Sequence, residues 1–321
     1  MALYCTFPLG HVALSLGTTG AALTFGGMRL RALMLAYIVW ACLDRSPHRG
    51  GYRLFWRSGL TRRLRASILW RRAARYFPAR LFATTPLPAE EGPYIFVCHP
   101  HGIIGIAPMT HFGTDASGFT SLFPGIPVHL MGHSAFFRIP FFRELVLAHG
   151  HVSVDRQSCL GLLRDGHSIA LAPGGAKESL ESTPGTMRLI LQRRKGFARL
   201  AVQTGAALVP VISFGENELY TTVQFEEGSR CRAWQLRLQS ILGFALPLFC
   251  GRYWMPFLPK RRPVFSFVGA PVRPQDMPKE GSDVSEEAVA ELHGRYCEAL
   301  RALYVTHRAE HGVADTDLEL I

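Results

Sequence analysis

One pattern restricts this chain more than any other. Short apolar runs rich in β-branched and aromatic residues keep returning, and segments with helical spacing stand between them. The runs read YIFVCH at 94–99, VHLMG at 128–132, HVSVDR at 151–156, SIAL at the head of 168–179, ALVPVISFG at 207–215 and VFSFVG at 264–269. Helical segments are expected at 102–112, 142–150, 159–166, 196–205 and 284–307, and Gly150, Gly166 and Gly205 close three of them. Strands alternating with helices predict an α/β fold with a mostly parallel sheet flanked by helices.

The first run ends in His99-Pro100-His101-Gly102, and a second apolar run follows at once. In α/β sheets, sites form beyond the carboxyl ends of the strands. Pro100 disfavours helix at His99, and Gly102 permits a tight turn into the next segment. His101 is then expected near a helix N-terminus, where the dipole disfavours the imidazolium. A neutral imidazole is what a general base requires. A lone histidine here would read as a satisfied turn residue. A pair capping an apolar strand favours a site.

Charge and hydropathy narrow the setting. The 321 residues carry a formal net charge of +11 and are 48% hydrophobic and 18% charged, with mean hydropathy +0.12. A basic, apolar chain suits an anionic surface or an anionic ligand. Eleven arginines lie between Arg45 and Arg80 with no acidic residue among them, whereas the region after Lys279 is acidic. The Arg run lacks the interleaved aromatic platform of a nucleic-acid reader. Two apolar pieces precede it, residues 4–25 and 32–43, joined around FGGMRLR. They are expected to form a hairpin that enters and leaves a membrane on one side, with the basic flank cytosolic. The alternative is two buried helices. No removable signal peptide is expected. The seven cysteines show no C-x-x-C pair and read as reduced thiols.

Further constellations gather around the strands. Asp155 and Arg156 follow a strand, and Arg156 is placed to hold a phosphate. In APGGAKES at 172–179, the Gly174-Gly175 turn offers main-chain donors to an oxyanion, with Glu178 just beyond. The stretch 192–220 joins Arg193, Arg194 and Lys195 to a helix, a Val-Pro strand and FGEN. Each is weak alone, and their order within one α/β domain is the informative part. A zinc site built on His99 and His101 lacks further ligands at suitable spacing, so no metal is expected.

Taken together, LDRSPHRGG (43–51), YFP (76–78), HPHG (99–102), SLFPGIPVHLMG (121–132), VSVDRQS (152–158), PGGAKESL (173–180), RKGFARLAVQTGAALVP (194–210), FGENELY (214–220) and VGAPV (268–272) resemble the type 2 diacylglycerol acyltransferases. That family includes monoacylglycerol and wax-alcohol acyltransferases. The resemblance implies a glycerolipid-acyltransferase-like domain after an N-terminal hydrophobic helical hairpin. The divisions are then 1–43 as membrane hairpin, 44–90 as basic membrane-proximal linker and helices, and 91–321 as acyltransferase domain. It implies an enzyme of the endoplasmic-reticulum membrane or lipid droplet, with its site facing the cytosol. Acyl-CoA would be a substrate, not a cofactor, and an acylglycerol or long-chain alcohol the acceptor. A homo-oligomer is compatible with all of this.

Catalysis falls to His101, or else His99. Gly102, Gly174 and Gly175 serve the oxyanion, and Arg156, Arg194 and Lys195 the CoA phosphates. Acyltransferases of the lysophosphatidate type use H-x-x-x-x-D, but here Ile104 and Ile106 occupy the fifth positions after the two histidines. This argues against a lysophospholipid acceptor. It also sends the acid that orients the base elsewhere, to Glu178 first, with Asp155 and Glu216 behind. The aromatic stretches 135–142 and 242–259 fit an acyl channel, a membrane interface or plain core. A non-catalytic membrane or lipid-droplet protein of the same fold would need the apolar N-terminus but not His99, His101 and Glu178 together.

Overall fold

The computed structural model of the chain describes residues 9–242, 247–255, 258–276, 283–313 and 315–321. The apolar runs pair as foreseen. Strands β1 (Arg80–Ala83), β2 (Tyr94–His99), β3 (Val128–Gly132), β4 (Val152–Ser153), β5 (Ser168–Leu171), β7 (Ala207–Phe214) and β10 (Phe265–Val268) form one sheet in the order β1-β10-β7-β2-β5-β3-β4. From β7 to β4 every neighbour is parallel, while β10 pairs antiparallel with β7 and brings β1 with it. Two small ladders stand apart, β6 (Met187–Leu189) with β11 (Leu318–Leu320) and β8 (Thr221–Val223) with β9 (Leu248–Cys250).

The central strands are buried along their whole length, as a sheet covered on both faces requires. The two-residue period of β2 sends Ile95 and Val97 into one core and Tyr94, Phe96 and Cys98 into the other. The first core also takes residues of α5 (Arg156–Arg164), α7 (Gly196–Thr204) and α9 (Glu286–His307). Helix α9 confirms the amphipathic reading of the acidic region: Val289, Leu292, Tyr296, Leu300 and Leu303 form its buried stripe. Phe112, Phe119 and Phe123 close the second core.

The expected helix over 102–112 does not form. Residues 102–105 make a turn, only Ile106–Pro108 is α-helical, and Met109–Gly113 winds as a π-helix. Gly102 and Gly105 hold positive φ there, and two glycines and a proline in seven residues deny a regular helix its ladder.

At the N-terminus, α1 (Leu9–Phe25) and α2 (Met28–Leu43) follow one another across Gly26-Gly27. Residues 1–8, part of the first apolar piece, lie outside the described residues. Among the described residues no helix is long and apolar enough to cross a membrane, so the spanning hairpin expected from the sequence is not supported. The pair is instead fastened to the α/β body. Tyr37 donates to Glu144 Oε2 at 2.5 Å, and Asp44 just past α2 takes the fully buried Arg143 at 2.5 Å. Trp40 lies against that guanidinium, 4.9 Å from ring centroid to Cζ. The stretch 44–90 is also woven in: β1 pairs with β10, and buried Arg65 donates to Val128 O at 2.8 Å and to Phe112 O.

Candidate active site

Three of the singled-out motifs end neighbouring strands. The order β7-β2-β5 sets FGEN, HPHG and PGGAKES side by side at the carboxyl edge of the sheet. Nothing adjacent in sequence requires this, since 115 residues separate Glu216 from His101.

His101 lies just beyond β2 and is partly exposed. Its Nδ1 is 3.0 Å from Gly102 O and 3.1 Å from Ser179 Oγ. A carbonyl oxygen only accepts, so Nδ1 carries the proton and the lone pair is on Nε2. Burial holds the imidazole below the usual histidine range, only partly offset by the Gly102 carbonyl. The neutral state thus comes from burial. A helix N-terminus does not supply it, because the turn at 102–105 intervenes.

His99 sits differently. It is wholly buried on the Ile95–Val97 face, its Nε2 2.9 Å from the Tyr296 hydroxyl of α9. Tyr296 Oη also lies 3.4 Å from Val97 O. Nε2–H donating to Tyr296, and Tyr296 to Val97, leaves only the Nδ1 lone pair without a partner. Burial pushes its pKa down to about 3.

Glu178 is on α6 (Gly175–Glu181) and 2% exposed. The expected carboxylate–imidazole pair is not what it makes. Oε1 accepts the main-chain N–H of His101 at 2.6 Å, and Oε2 accepts that of Ile190 at 3.0 Å. The ring is held by the next residue, Ser179. Glu178 thus positions His101 through its backbone. Burial raises its pKa to about 7 against those two N–H groups and the nearby Arg194 charge, which lower it.

Glu216, one strand over, repeats the device. Its oxygens accept the N–H groups of Ile106 at 3.0 Å and Ala107 at 2.7 Å, and burial raises its pKa to about 8. A Cβ on Gly102 would lie 2.4 Å from Glu216 Oε1, and one on Gly174 would lie 2.0 Å from Glu178 Oε2. Two buried carboxyl groups therefore clamp the histidine turn from both flanking strands, and the glycines give them room. An anion at the Gly174-Gly175 turn would face Glu178, which tolerates it best when protonated.

The remaining expected residues divide. Half-buried Arg194 stands close enough for its charge to act on Glu178. Lys195 is exposed before α7. Arg156 is exposed and donates to Gln203 at 2.9 Å. Asp155 is not available to either histidine. It caps α5 through Ser158 N at 3.0 Å and pairs with His48 at 2.7 Å, and burial, which would raise its pKa, is outweighed by these bonds. It also lies three strands from β2, about 14 Å at roughly 4.8 Å per step. Of the aromatic stretches, Phe137 and Phe142 are core while Phe136 and Phe141 are exposed. Tyr253 and Trp254 are exposed in the second stretch, of which residues 243–246 and 256–257 lie outside the described residues.

Sequence reasoning missed Tyr296 and Ser179. Ser179 was visible inside PGGAKESL, beside the chosen glutamate. Tyr296 lies 197 residues from His99 and carried no signal beyond its place on an apolar stripe.

A turn with one oriented, neutral imidazole, braced by buried acids at the carboxyl edge of an α/β sheet, suits proton abstraction from a hydroxyl. The family model described as diacylglycerol acyltransferase matches residues 23–321. Diacylglycerol O-acyltransferase 2A of Umbelopsis ramanniana is 42% identical, covering 84% of this chain and 76% of that protein. The 2-acylglycerol O-acyltransferase 1 of Bos taurus is 38% identical over 89% of this chain and 84% of its own length. Acyl-CoA wax alcohol acyltransferase 1 of Homo sapiens is 37% identical, covering 88% and 85%. This chain belongs to the diacylglycerol acyltransferase family.

Proposed function

We propose that the protein is an acyl-CoA-dependent O-acyltransferase that esterifies diacylglycerol to triacylglycerol at the endoplasmic-reticulum membrane. The observation that carries the mechanism is the His101 ring, fixed through Nδ1 and free at Nε2 among the described residues. Nε2 takes the proton of the acceptor hydroxyl as its oxygen attacks the thioester carbonyl. The C–S bond breaks, the ester C–O bond forms, and the imidazolium returns the proton to the CoA sulfur. Glu178 and Glu216 keep the turn in place for this, and Arg194 supports the anionic donor.

The second reading is an acceptor with one acyl chain fewer, or a long-chain alcohol, because relatives bearing those names are nearly as similar as the first. Microsomes containing the protein, labelled acyl-CoA and each acceptor in turn separate them. The expected product is labelled triacylglycerol. No ester from any acceptor, at protein levels matched to an active relative, would leave the non-catalytic alternative standing.

A further inference from the structure

The segment after α2 and the outer face of α5 enclose a cleft of about 630 Å³ that the catalytic turn does not use. This is within the usual range of small-molecule sites, about 300–1,000 Å³. Its walls are already committed. Asp44 is held by Arg143, His48 by Asp155 at 2.7 Å, and Arg53 by Asp165 at 3.0 Å. Arg45 and Arg49 line it too, are exposed, and have no carboxylate partner among the described residues. Their guanidinium groups are its free charges, and Ser158 and Gly161 on the opposite wall leave room for a ligand.

We propose that this cleft binds the phosphate-bearing end of the thioester donor, with Arg45 and Arg49 as its anion ligands. The proposal rests on the donor being acyl-CoA. The geometry favours it in two ways. Asp155, whose side chain anchors His48 in the cleft wall, lies two residues past β4, so the His48 end of the cleft stands at the same carboxyl edge as His101. Along that edge three strand spacings, about 14 Å, separate β4 from β2. A pantetheine arm, roughly four peptide residues long, spans about 14 Å when extended. A donor lying along the sheet edge would reach from the free arginines to Nε2. Guanidinium forks bind phosphate oxygens in bidentate fashion.

The test compares two donors with the same acyl chain, acyl-CoA and the acyl-pantetheine thioester that lacks the nucleotide and its phosphates. The readout is the ratio of their kcat/KM values. Arg45→Ala and Arg49→Ala should each lower that ratio roughly tenfold, and the pair roughly a hundredfold. Lysine at either position should restore part of it. Arg164→Ala, at the end of α5 and outside the cleft lining, should leave the ratio at the wild-type value. An unaltered ratio in the double variant, with its thermal midpoint retained, overturns the proposal. So does an unaltered ratio together with lost binding to phosphatidylserine-containing vesicles, which would assign the arginines to a lipid headgroup. Absence of transfer by the wild-type protein from either donor would instead refute the acyltransferase reading itself.

Discussion

His101 and His99 sit two residues apart, yet they meet opposite demands. His99 points into the core and spends its Nε2 on Tyr296. His101 keeps Nε2 free because Gly102 and Ser179 occupy Nδ1. His101→Ala should therefore lower kcat about 10²–10⁴-fold in a folded protein, the usual cost of losing a general base. Near-normal turnover would remove it from the mechanism. Because burial lowers its pKa, the acid limb of the kcat profile should lie below the ordinary histidine value of 6.5. A limb at or above that value would contradict the assignment. The two glutamates titrate the other way. Their pKa values, raised to about 7 for Glu178 and about 8 for Glu216, stand above the ordinary 4.5. The native state then holds more protons than the unfolded one between those limits. Their contribution to stability is full below about pH 4.5 and is lost as pH rises through 7 to 8. Denaturant midpoints between pH 5 and 9 should fall more steeply for wild type than for Glu178→Gln or Glu216→Gln. Parallel slopes would mean that the carboxyl groups are ionised throughout.

At the level of elements, every run read as a strand is one, because apolar runs bounded by turn residues are a local signal. The sequence-based reading of 102–112 failed for a physical reason: its apolar residues serve two separate cores, Ile103 and Ile106 in one and Phe112 in another, and its ladder is replaced by the Glu216 carboxylate. The acid that contacts His101 does not stand five residues after either histidine but is Glu178, beyond β5, and it holds the main chain and not the ring, a placement only the sheet order reveals. Likewise Asp44, one of two carboxylates on Arg143, was written in LDRSPHRGG but its target lies 99 residues away. Two substitutions test these supports. Gly102→Ala adds a Cβ at 2.4 Å from Glu216 Oε1 and at φ +65°, so it should cost at least about 1–3 kcal/mol and lower turnover with it. Asp44→Ala removes one of the two carboxylates on a fully buried guanidinium, leaving Glu144 at 2.9 Å, and should cost about 1–3 kcal/mol. Wild-type thermal midpoints in either variant would show that the turn or the latch is dispensable.

At the scale of the whole molecule, exposed apolar and basic residues concentrate in the N-terminal elements. Helices α1 and α2 expose Leu16, Phe25, Met28, Leu33, Val39 and Leu43, with Phe25 and Met28 each 86% accessible. In the segment that follows, Arg57, Arg62, Arg63, Arg71 and Arg72 are exposed with no salt-bridge partner among the described residues. At 17 and 16 residues the helices measure about 24–26 Å, short of the roughly 30 Å hydrocarbon core. Their attachment to the α/β body through Tyr37 and Asp44 also ties the end of α2 to the protein. Such a surface is suited to lying in the interface, with apolar side chains in the acyl boundary and arginines at the headgroups. The two contributions separate by salt, since screening at high ionic strength removes exposed charge attraction but leaves apolar burial. Sedimentation with vesicles should therefore show stronger binding to anionic than to neutral lipid at low salt. High salt should bring the two to the same residual level. Replacing Leu33 and Leu43 by Gln should lower that residual binding, because each buried side chain contributes about 1.5–3 kcal/mol. Complete release by salt alone would mean attachment by charge only. Indifference of the residual binding to both substitutions would place the membrane contact elsewhere on the protein.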